Sequence, residues 1–340
     1  MAKQSRNWFF LGGGVVLLLL CALLALSWGQ YPIAPETLMA FVNYKFFGGE
    51  AQEGFALLEN ILFQIRLPRI LLAMLIGAAL ATSGAAFQAM FVNPLVSPGI
   101  LGVLAGASFG AALGMLISEQ WWIVQILAFG FGFLAVGFAI MVGSMVTNSR
   151  STVMLILGGV ISGSLFTALL SVIKYVADPY STLPAIVYWL MGSLTMADLD
   201  GVVLVAIPMG ASIIALIFMG KYFDLLSLGD EEAKALGINV THLRIIAIIL
   251  ATLASSLCVV MAGIIGWVGL IIPHIVRMAA GPSHTLLMPL SALVGAAFML
   301  LADSVSRLTF SVEIPIGILT SLIGIPVFII VLKNARAAWN

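Results

Sequence analysis

Residues 70–118 read ILLAMLIGAALATSGAAFQAMFVNPLVSPGILGVLAGASFGAALGMLIS and contain no charged side chain. A membrane-spanning helix needs about 20 apolar residues, so this stretch is long enough for two. Asn93-Pro94 and Ser97-Pro98-Gly99 mark the break between them, because proline interrupts a helix and glycine favours turns. The stretch therefore predicts two consecutive membrane spans joined by a short turn.

The whole chain has the composition of a membrane protein. Of its 340 residues, 62% are hydrophobic and only 8% are charged, and the mean hydropathy is +1.18. A soluble domain carries about 25% charged residues, so the composition excludes a water-soluble enzyme, a disordered chain and a nucleic-acid-binding protein. Cys21 and Cys258 both lie in apolar runs, which predicts packing roles rather than a disulfide framework or a metal site.

Charge-free stretches and their proline or glycine breaks predict about ten transmembrane helices. Besides the two in residues 70–118, the stretches are 7–35, 120–149, 151–173, 201–220, 245–276 (one full and one short span), 278–302 and 314–332. A further apolar piece, Leu183–Leu194, predicts a short re-entrant periplasmic helix. The predicted fold is an all-α polytopic membrane protein with a single transmembrane domain over residues 1–340.

The distribution of Lys and Arg predicts the orientation of the chain. With ten spans and a cytoplasmic N-terminus, most of the fourteen Lys and Arg residues fall on the cytoplasmic side. Both termini are then cytoplasmic, residues 29–69 form a periplasmic loop and residues 221–244 form the longest cytoplasmic loop. A cleaved signal peptide at the N-terminus is the less favoured alternative, because no A-x-A site follows the first apolar run.

Glycine recurs every fourth residue in the third predicted span. Gly102, Gly106, Gly110 and Gly114 would form one helix face without side chains, which lets a neighbouring backbone approach closely. Tight helix packing is the favoured interpretation, and a smooth face lining a translocation path is the alternative.

The chain shows no means of driving transport by itself. Its acidic residues fall near predicted helix ends or in loops, whereas ion-coupled carriers usually hold Asp, Glu or His deep within spans. It also lacks a GxxxxGK[ST] phosphate loop. An ion-coupled secondary transporter remains the main alternative function. An intramembrane enzyme is disfavoured because His242, His274 and His284 show no metal-ligand spacing.

The cytoplasmic loop predicts a short, separately capped helix. Ser227 and Asp230 have the spacing of a capping box, Gly237 is placed to end the helix, and Asn239 is placed to cap the next one. Such a helix suits docking in a groove of a cytoplasmic partner. An amphipathic segment lying on the lipid surface is the alternative.

The loop segment 230–237, DEEAKALG, resembles the coupling helix of the FecCD family, the permeases of type II ABC importers for iron-siderophores, haem and vitamin B12. Further segments resemble other family motifs in the same order: 66–69 (RLPR), 93–102 (NPLVSPGILG), 266–277 (GWVGLIIPHIVR), 301–303 (LAD) and 313–317 (EIPIG). The resemblance covers about residues 8–335.

The resemblance implies a homodimer in the bacterial inner membrane with a translocation path along the dimer axis. Two cytoplasmic ATP-binding subunits and a periplasmic substrate-binding protein are the implied partners. The chain would be a transport subunit rather than an enzyme, without a cofactor or metal of its own, because ATP and magnesium belong to the partner ATPase.

The resemblance also implies residue roles. Contact with the ATPase falls to Asp230, Glu231, Glu232, Ala233, Leu236 and Gly237. Arg66, Arg69 and Arg307 match outward-facing arginines that meet glutamates of the binding protein in the vitamin B12 member, with snorkelling at the interface as the alternative. Ser151, Thr152 and Val153 match the cytoplasmic gate, although Val153 replaces the second hydroxyl of the family. An iron chelate is the first expectation for the cargo, with haem, cobalamin, molybdate or tungstate as alternatives.

Overall fold

The computed structural model describes residues 2–145, 152–309 and 312–337, which form helices and turns and no β-strand. The α-helices, numbered in chain order, are α1 (Ala2–Ser27), α2 (Pro35–Phe47), α3 (Phe55–Asn60), α4 (Leu67–Met90), α5 (Val103–Ile117), α6 (Trp121–Met145), α7 (Thr152–Val176), α8 (Thr182–Leu190), α9 (Leu199–Phe218), α10 (Gly220–Leu226), α11 (Asp230–Ala235), α12 (Val240–Ala262), α13 (Val268–Ala280), α14 (His284–Leu308) and α15 (Ile316–Ala337). A π-helical turn, Ile61–Arg66, joins α3 to α4, and a 3₁₀ turn, Pro98–Leu101, precedes α5.

Within the described residues, seven helical stretches are long and apolar enough to cross a membrane. They are Arg6–Ser27, Phe55–Met90, Trp121–Met145, Thr152–Val176, Leu199–Phe218, Val240–Ala262 and His284–Leu308. Three shorter apolar helices are Val103–Ile117, Val268–Ala280 and Ile316–Ile330. Together they account for the ten predicted spans, and α8 lies where the short re-entrant helix was predicted. The predicted all-α membrane fold is confirmed.

The second span begins earlier than the charge-free pattern predicts. Helix α3, the π-helical turn and α4 form one continuous stretch from Phe55 to Met90, and α2 also lies inside the predicted loop 29–69. A charge-free criterion starts this span at Ile70 because Arg66 and Arg69 precede it. Both arginines are nevertheless buried inside the helix bundle.

Helix α4 lies at the centre of the bundle, in contact with α9, α12, α13 and α14. Its small residues allow this crowding, because they let neighbouring backbones come close. A Cβ atom at Gly84 would overlap the carbonyl oxygen of Gly269 in α13, and one at Gly77 would overlap that of Gly295 in α14. Helix α4 is therefore packed tightly against its neighbours in the bundle.

The two ends of α4 mark two regions of interest. The end of the bundle that contains Leu67, Arg66, Arg69 and Arg307 is called the arginine end. Here α4 contacts the C-terminal ends of α1 and α14. Near Met90, the α11 end, it meets the connection between α9 and α12, which folds into the short helices α10 and α11.

Candidate coupling and docking sites

Helix α11 is a short, separate helix whose C-terminal end is shaped by glycine. Gly237 has φ +83°, a conformation that favours glycine. Its N–H donates to the Lys234 carbonyl at 2.9 Å, and the Ile238 N–H donates to the Ala233 carbonyl at 3.1 Å. These two bonds form a Schellman motif. Asn239 Oδ1 then accepts from the His242 N–H at 3.1 Å and so caps α12.

The capping box predicted at the start of α11 is wrong. Ser227 follows the end of α10, and its hydroxyl donates to the Asp224 carbonyl at 2.7 Å. The residue before α11 is Gly229, at φ +115° and with no side-chain cap. Asp230, the expected partner of Ser227, is instead held by Arg244 in α12.

Helix α11 has an exposed side and a buried side. Glu231 and Lys234 form an exposed ion pair at 2.9 Å, with the Glu231 side chain 86% exposed. The hydrogen bond from Lys234 to Glu231 raises the pKa of Lys234 above its ordinary value. Glu232 is also exposed, as are the apolar side chains of Leu228 and Leu236. Ala233 is fully buried beneath them.

Arg244 ties the start of α11 to two membrane helices. Its Nη1 and Nη2 donate to Asp230 Oδ2 and Oδ1 at 2.8 and 2.6 Å, a bidentate pair. Nη2 also donates to the carbonyl of Met90, the last residue of α4, at 3.2 Å. The guanidinium thus joins α11, α12 and the C-terminal end of α4, where a cation is favoured by the helix dipole.

A second set of hydrogen bonds joins α10 to the start of α14. Asp224 accepts from the Ser283 hydroxyl at 3.1 Å and from the His284 backbone N–H at 2.5 Å. His284 Nδ1 lies 3.0 Å from the same carboxylate. The carboxylate therefore caps the N-terminal end of α14 from a different helix.

Of the predicted gate residues, only Thr152 is shown beside α11. Ser151 lies outside the described residues. Thr152 is the first residue of α7 and lines a cavity of about 580 Å³ together with Asp230, Glu231 and Arg244. Val153 is exposed.

The three arginines predicted to meet a binding protein are buried at the arginine end. Arg66, Arg69 and Arg307 are 4%, 8% and 7% exposed. Arg69 Nε donates to Asp303 Oδ1 at 2.7 Å, and its two Nη atoms donate to Glu313 Oε1 and Oε2 at 3.1 and 2.8 Å. Arg307 Nε lies 3.1 Å from Asp303 Oδ2.

Other donors of this cluster bond backbone carbonyls at and just beyond the end of α1. Arg66 donates to the carbonyl oxygens of Leu26 and Tyr31, and Arg307 Nη1 donates to that of Trp28 at 3.4 Å. Backbone carbonyls at a helix C-terminus carry partial negative charge, which suits guanidinium groups. In this conformation the arginines bind groups of their own chain, and only Glu313, with a side chain 27% exposed, reaches the surface among the acids they hold.

The structure packs the glycine face of α5 against α6. A Cβ atom at Gly106 or Gly110 would overlap the carbonyl oxygen of Phe131 or Leu127, and one at Gly114 would lie 2.7 Å from Val124 Cα. Gly102, at φ +82°, precedes the helix and contacts Ser162 and Gly163 of α7. Along residues 106–114 this face is occupied by α6, so no path can run there.

Helix α7 presents an exposed face that the sequence analysis did not single out. Ser164, Thr167 and Ser171 lie on it, beside the small residues Gly163 and Ala168. The sequence signal was available, since hydroxyls recur there at spacings of three and four residues. Asp224, Arg244, Asp303 and Glu313 also gained their roles only from three-dimensional contacts. Among the residues that the structure describes, no group of three His, Cys, Asp or Glu could hold a metal ion.

Comparisons with known proteins agree on one family. The model of the FecCD transport family matches residues 17–334. Haemophilus influenzae MolB, named a molybdate import system permease, is 40% identical over 331 residues, which cover 96% of each chain. A Helicobacter pylori permease named for iron chelatin transport is 38% identical over 279 residues, 82% of this chain and 84% of the relative. Salmonella paratyphi A BtuC, a vitamin B12 import system permease, is 35% identical over 342 residues, 98% of each.

A solved structure of an ABC transporter also matches this chain. It is described as an inward-facing conformation of a metal-chelate type ABC transporter, and it superposes with a TM-score of 0.86 at 37% identity, covering 95% of this chain and 98% of that one. The family match spans most of the chain, and the relatives align over nearly their full length. The chain therefore belongs to the FecCD transport family.

Proposed function

We propose that the chain is the membrane-spanning subunit of an ATP-driven importer and that α11 receives the force from a separate ATPase subunit. The family and the relatives support the assignment of this chain as the permease of an ABC transporter. The observation that carries the coupling role is the structure of α11 itself. Glu231 and Glu232 of α11 and the flanking Leu228 and Leu236 are exposed. On the other side of the helix Ala233 is buried, and Asp230 is bonded to Arg244 of α12, which also bonds the end of α4.

In this proposal the α11 end of the bundle is cytoplasmic, as are both termini, and the arginine end is periplasmic. The membrane is the bacterial inner membrane. Two copies of the chain face each other across a path, and α7 lines it. Hydroxyls exposed to lipid are disfavoured, so Ser164, Thr167 and Ser171 suit a water-filled path better than a lipid-facing surface.

The binding protein docks at the periplasmic end in this proposal, with Arg66, Arg69 and Arg307 beneath the docking site. Because all three are buried, an incoming carboxylate gains access to Arg69 only by exchange with Glu313. Glu313→Gln weakens the internal pair, so it is expected to tighten the association of the binding protein. Glu59→Gln, which breaks the exposed pair with Lys45, is the matched control and should leave association unchanged.

The cargo is a metal chelate or a metal oxyanion. Relatives named for molybdate, iron chelatin and vitamin B12 support this class. Molybdate is the first candidate, ahead of an iron chelate, because MolB aligns over 96% of both chains at 40% identity.

Uptake by proteoliposomes tests the proposal. The chain is purified with the ATPase subunits that accompany it, and labelled molybdate, a ferric chelate and cobalamin are compared with and without ATP. ATP-dependent uptake of one of them is expected. Accumulation driven by an ion gradient without the ATPase would instead support the secondary transporter. Asp303 argues against that alternative, because two arginines already hold its carboxylate.

A further inference from the structure

We propose that Asp230–Arg244 and Asp224–His284 are the positioning contacts that carry motion of α11, and of the adjoining helix α10, into α4 and α14. This inference rests on the proposed function, in which α11 receives force from the ATPase. It adds the internal route by which that force reaches the membrane helices. The Asp230 and Asp224 side chains are 37% and 32% exposed, whereas those of their partners Arg244 and His284 are only 13% and 6% exposed.

The first contact fixes the direction of α11 as well as its position. Asp230 is the first residue of α11, and Arg244 lies near the start of α12. A bidentate pair restricts rotation as well as separation, because both carboxylate oxygens and both Nη atoms are engaged. Since Nη2 also holds the Met90 carbonyl, a displacement of Asp230 acts on the end of α4 through a single guanidinium group.

The second contact joins the helix before α11 to α14. Asp224 holds both the Ser283 hydroxyl and the His284 backbone N–H, so it grips the first turn of α14 by its main chain. The helices also touch directly here. A Cβ atom at Gly220, the first residue of α10, would lie 2.8 Å from the His284 carbonyl oxygen. Helix α10 therefore moves together with the start of α14.

The exposed pair in α11 provides an internal contrast. Glu231 and Lys234 lie one turn apart in the same helix, so their ion pair reaches no other helix. Asp230 and Asp224, by comparison, are bonded to residues in α12, α4 and α14. Of the four carboxylates in residues 224–232, Asp224 and Asp230 are bonded to other helices, whereas Glu231 and Glu232 face outward.

Spin-label mobility in the full-length chain tests the first contact without any partner. A label is placed at Ala235→Cys, an exposed position at the end of α11, in a background lacking Cys21 and Cys258, which are both buried. In nanodiscs, Asp230→Asn is expected to increase the mobility of the label. Glu231→Gln, which breaks only the exposed pair, is expected to leave it unchanged. Equal mobility in Asp230→Asn and the parent would overturn the proposal.

Transport by the complex isolated with its ATPase subunits tests the same contact in function. Asp230→Asn is expected to lower the cargo carried per ATP hydrolysed by about tenfold or more, since Arg244 loses its paired charge. The cargo is whichever of labelled molybdate, ferric chelate or cobalamin the parent complex transports. The exchange Asp230→Arg with Arg244→Asp restores the ion pair but leaves the Met90 carbonyl without its donor. It should therefore recover the low mobility of the label, which a simple loss of folding would not allow, but not the cargo carried per ATP.

Asp224→Asn tests the second contact with the same two measurements. A parallel loss of hydrolysis and transport, with no change in their ratio, would overturn the proposal for either contact. Failure of any ATPase subunit to accompany the chain would refute the proposed function, whereas the mobility measurement would still decide whether Asp230 positions α11.

Discussion

Arg69 in α4 donates from Nε to Asp303 Oδ1 in α14 at 2.7 Å, across 234 positions of sequence. The Asp303 side chain is 1% exposed and that of Arg69 is 10% exposed. Burying two charges is costly unless they are paired and hydrogen-bonded, and here Glu313 completes the partners of Arg69. The pair therefore holds two central helices in one arrangement at the arginine end.

Arg69→Ala is expected to destabilise the protein strongly. The substitution leaves Asp303 buried with Arg307 alone, and breaking a buried pair costs about 3–5 kcal/mol. Thermal unfolding of the purified chain in detergent measures the effect. Lys45→Ala removes the exposed pair with Glu59 and should cost less than about 1 kcal/mol. Equal losses in the two variants would show that the Arg69 pair contributes no more than a surface pair.

The exposed carboxylates of α11 give a separate prediction about assembly. Glu231→Gln combined with Glu232→Gln should reduce recovery of ATPase subunits with the chain, while thermal stability stays near that of the parent, because neither carboxylate is buried. The dependence of recovery on salt should also weaken, since exposed charges act through a screened field. Undiminished recovery would remove these two residues from the docking surface. The control is Asp178→Asn, which removes an exposed carboxylate two residues beyond Val176, the last residue of α7. The opposite end of α7, at Thr152, is the one that lies beside α11.

The α5–α6 contact predicts opposite results for two similar substitutions. Gly110→Ala places a Cβ atom against the Leu127 carbonyl and should cost about 1–3 kcal/mol through overpacking. Gly130→Ala in α6 meets nothing within 4 Å and should be neutral or stabilising by up to about 1 kcal/mol. Melting temperatures of the two variants provide the comparison. A Gly110→Ala protein as stable as Gly130→Ala would mean that the helices separate easily.

The helical architecture was predictable because lipid allows little else. Apolar length and proline breaks located the ten apolar helices, and the glycine at 237 marked the end of α11. The start of the Phe55–Met90 stretch was missed because its charges are buried, and a sequence shows the presence of Arg66 and Arg69 but not their partners.

The ion pairs between helices could not be predicted from a local sequence pattern for the same reason. Ser227 and Asp230 have capping-box spacing, yet Arg244, fourteen residues further on, binds the carboxylate more strongly than a backbone N–H would. Glu313 and Asp303 reach Arg69 only after the chain has crossed the membrane several times. Ion pairs of this kind can be identified only when the three-dimensional fold is known.

The π-helical turn Ile61–Arg66 determines how two layers of the arginine end are rotated relative to each other about the helix axis. The outer layer is aromatic and contains Phe55, and the inner layer is ionic and contains Arg69. Above it, Phe55 of α3 packs edge-on against Phe41 of α2, with ring centroids 5.5 Å apart. If these six residues were α-helical instead, Phe55 would stand about 100° further around the axis, while Arg69 stayed in place. Deleting one residue from the turn should therefore leave the aromatic and ionic layers in register. Deleting one residue within α3 after Phe55 should swing Phe55 away from Phe41, and proteases would then cut the exposed stretch 48–54 sooner than in the parent.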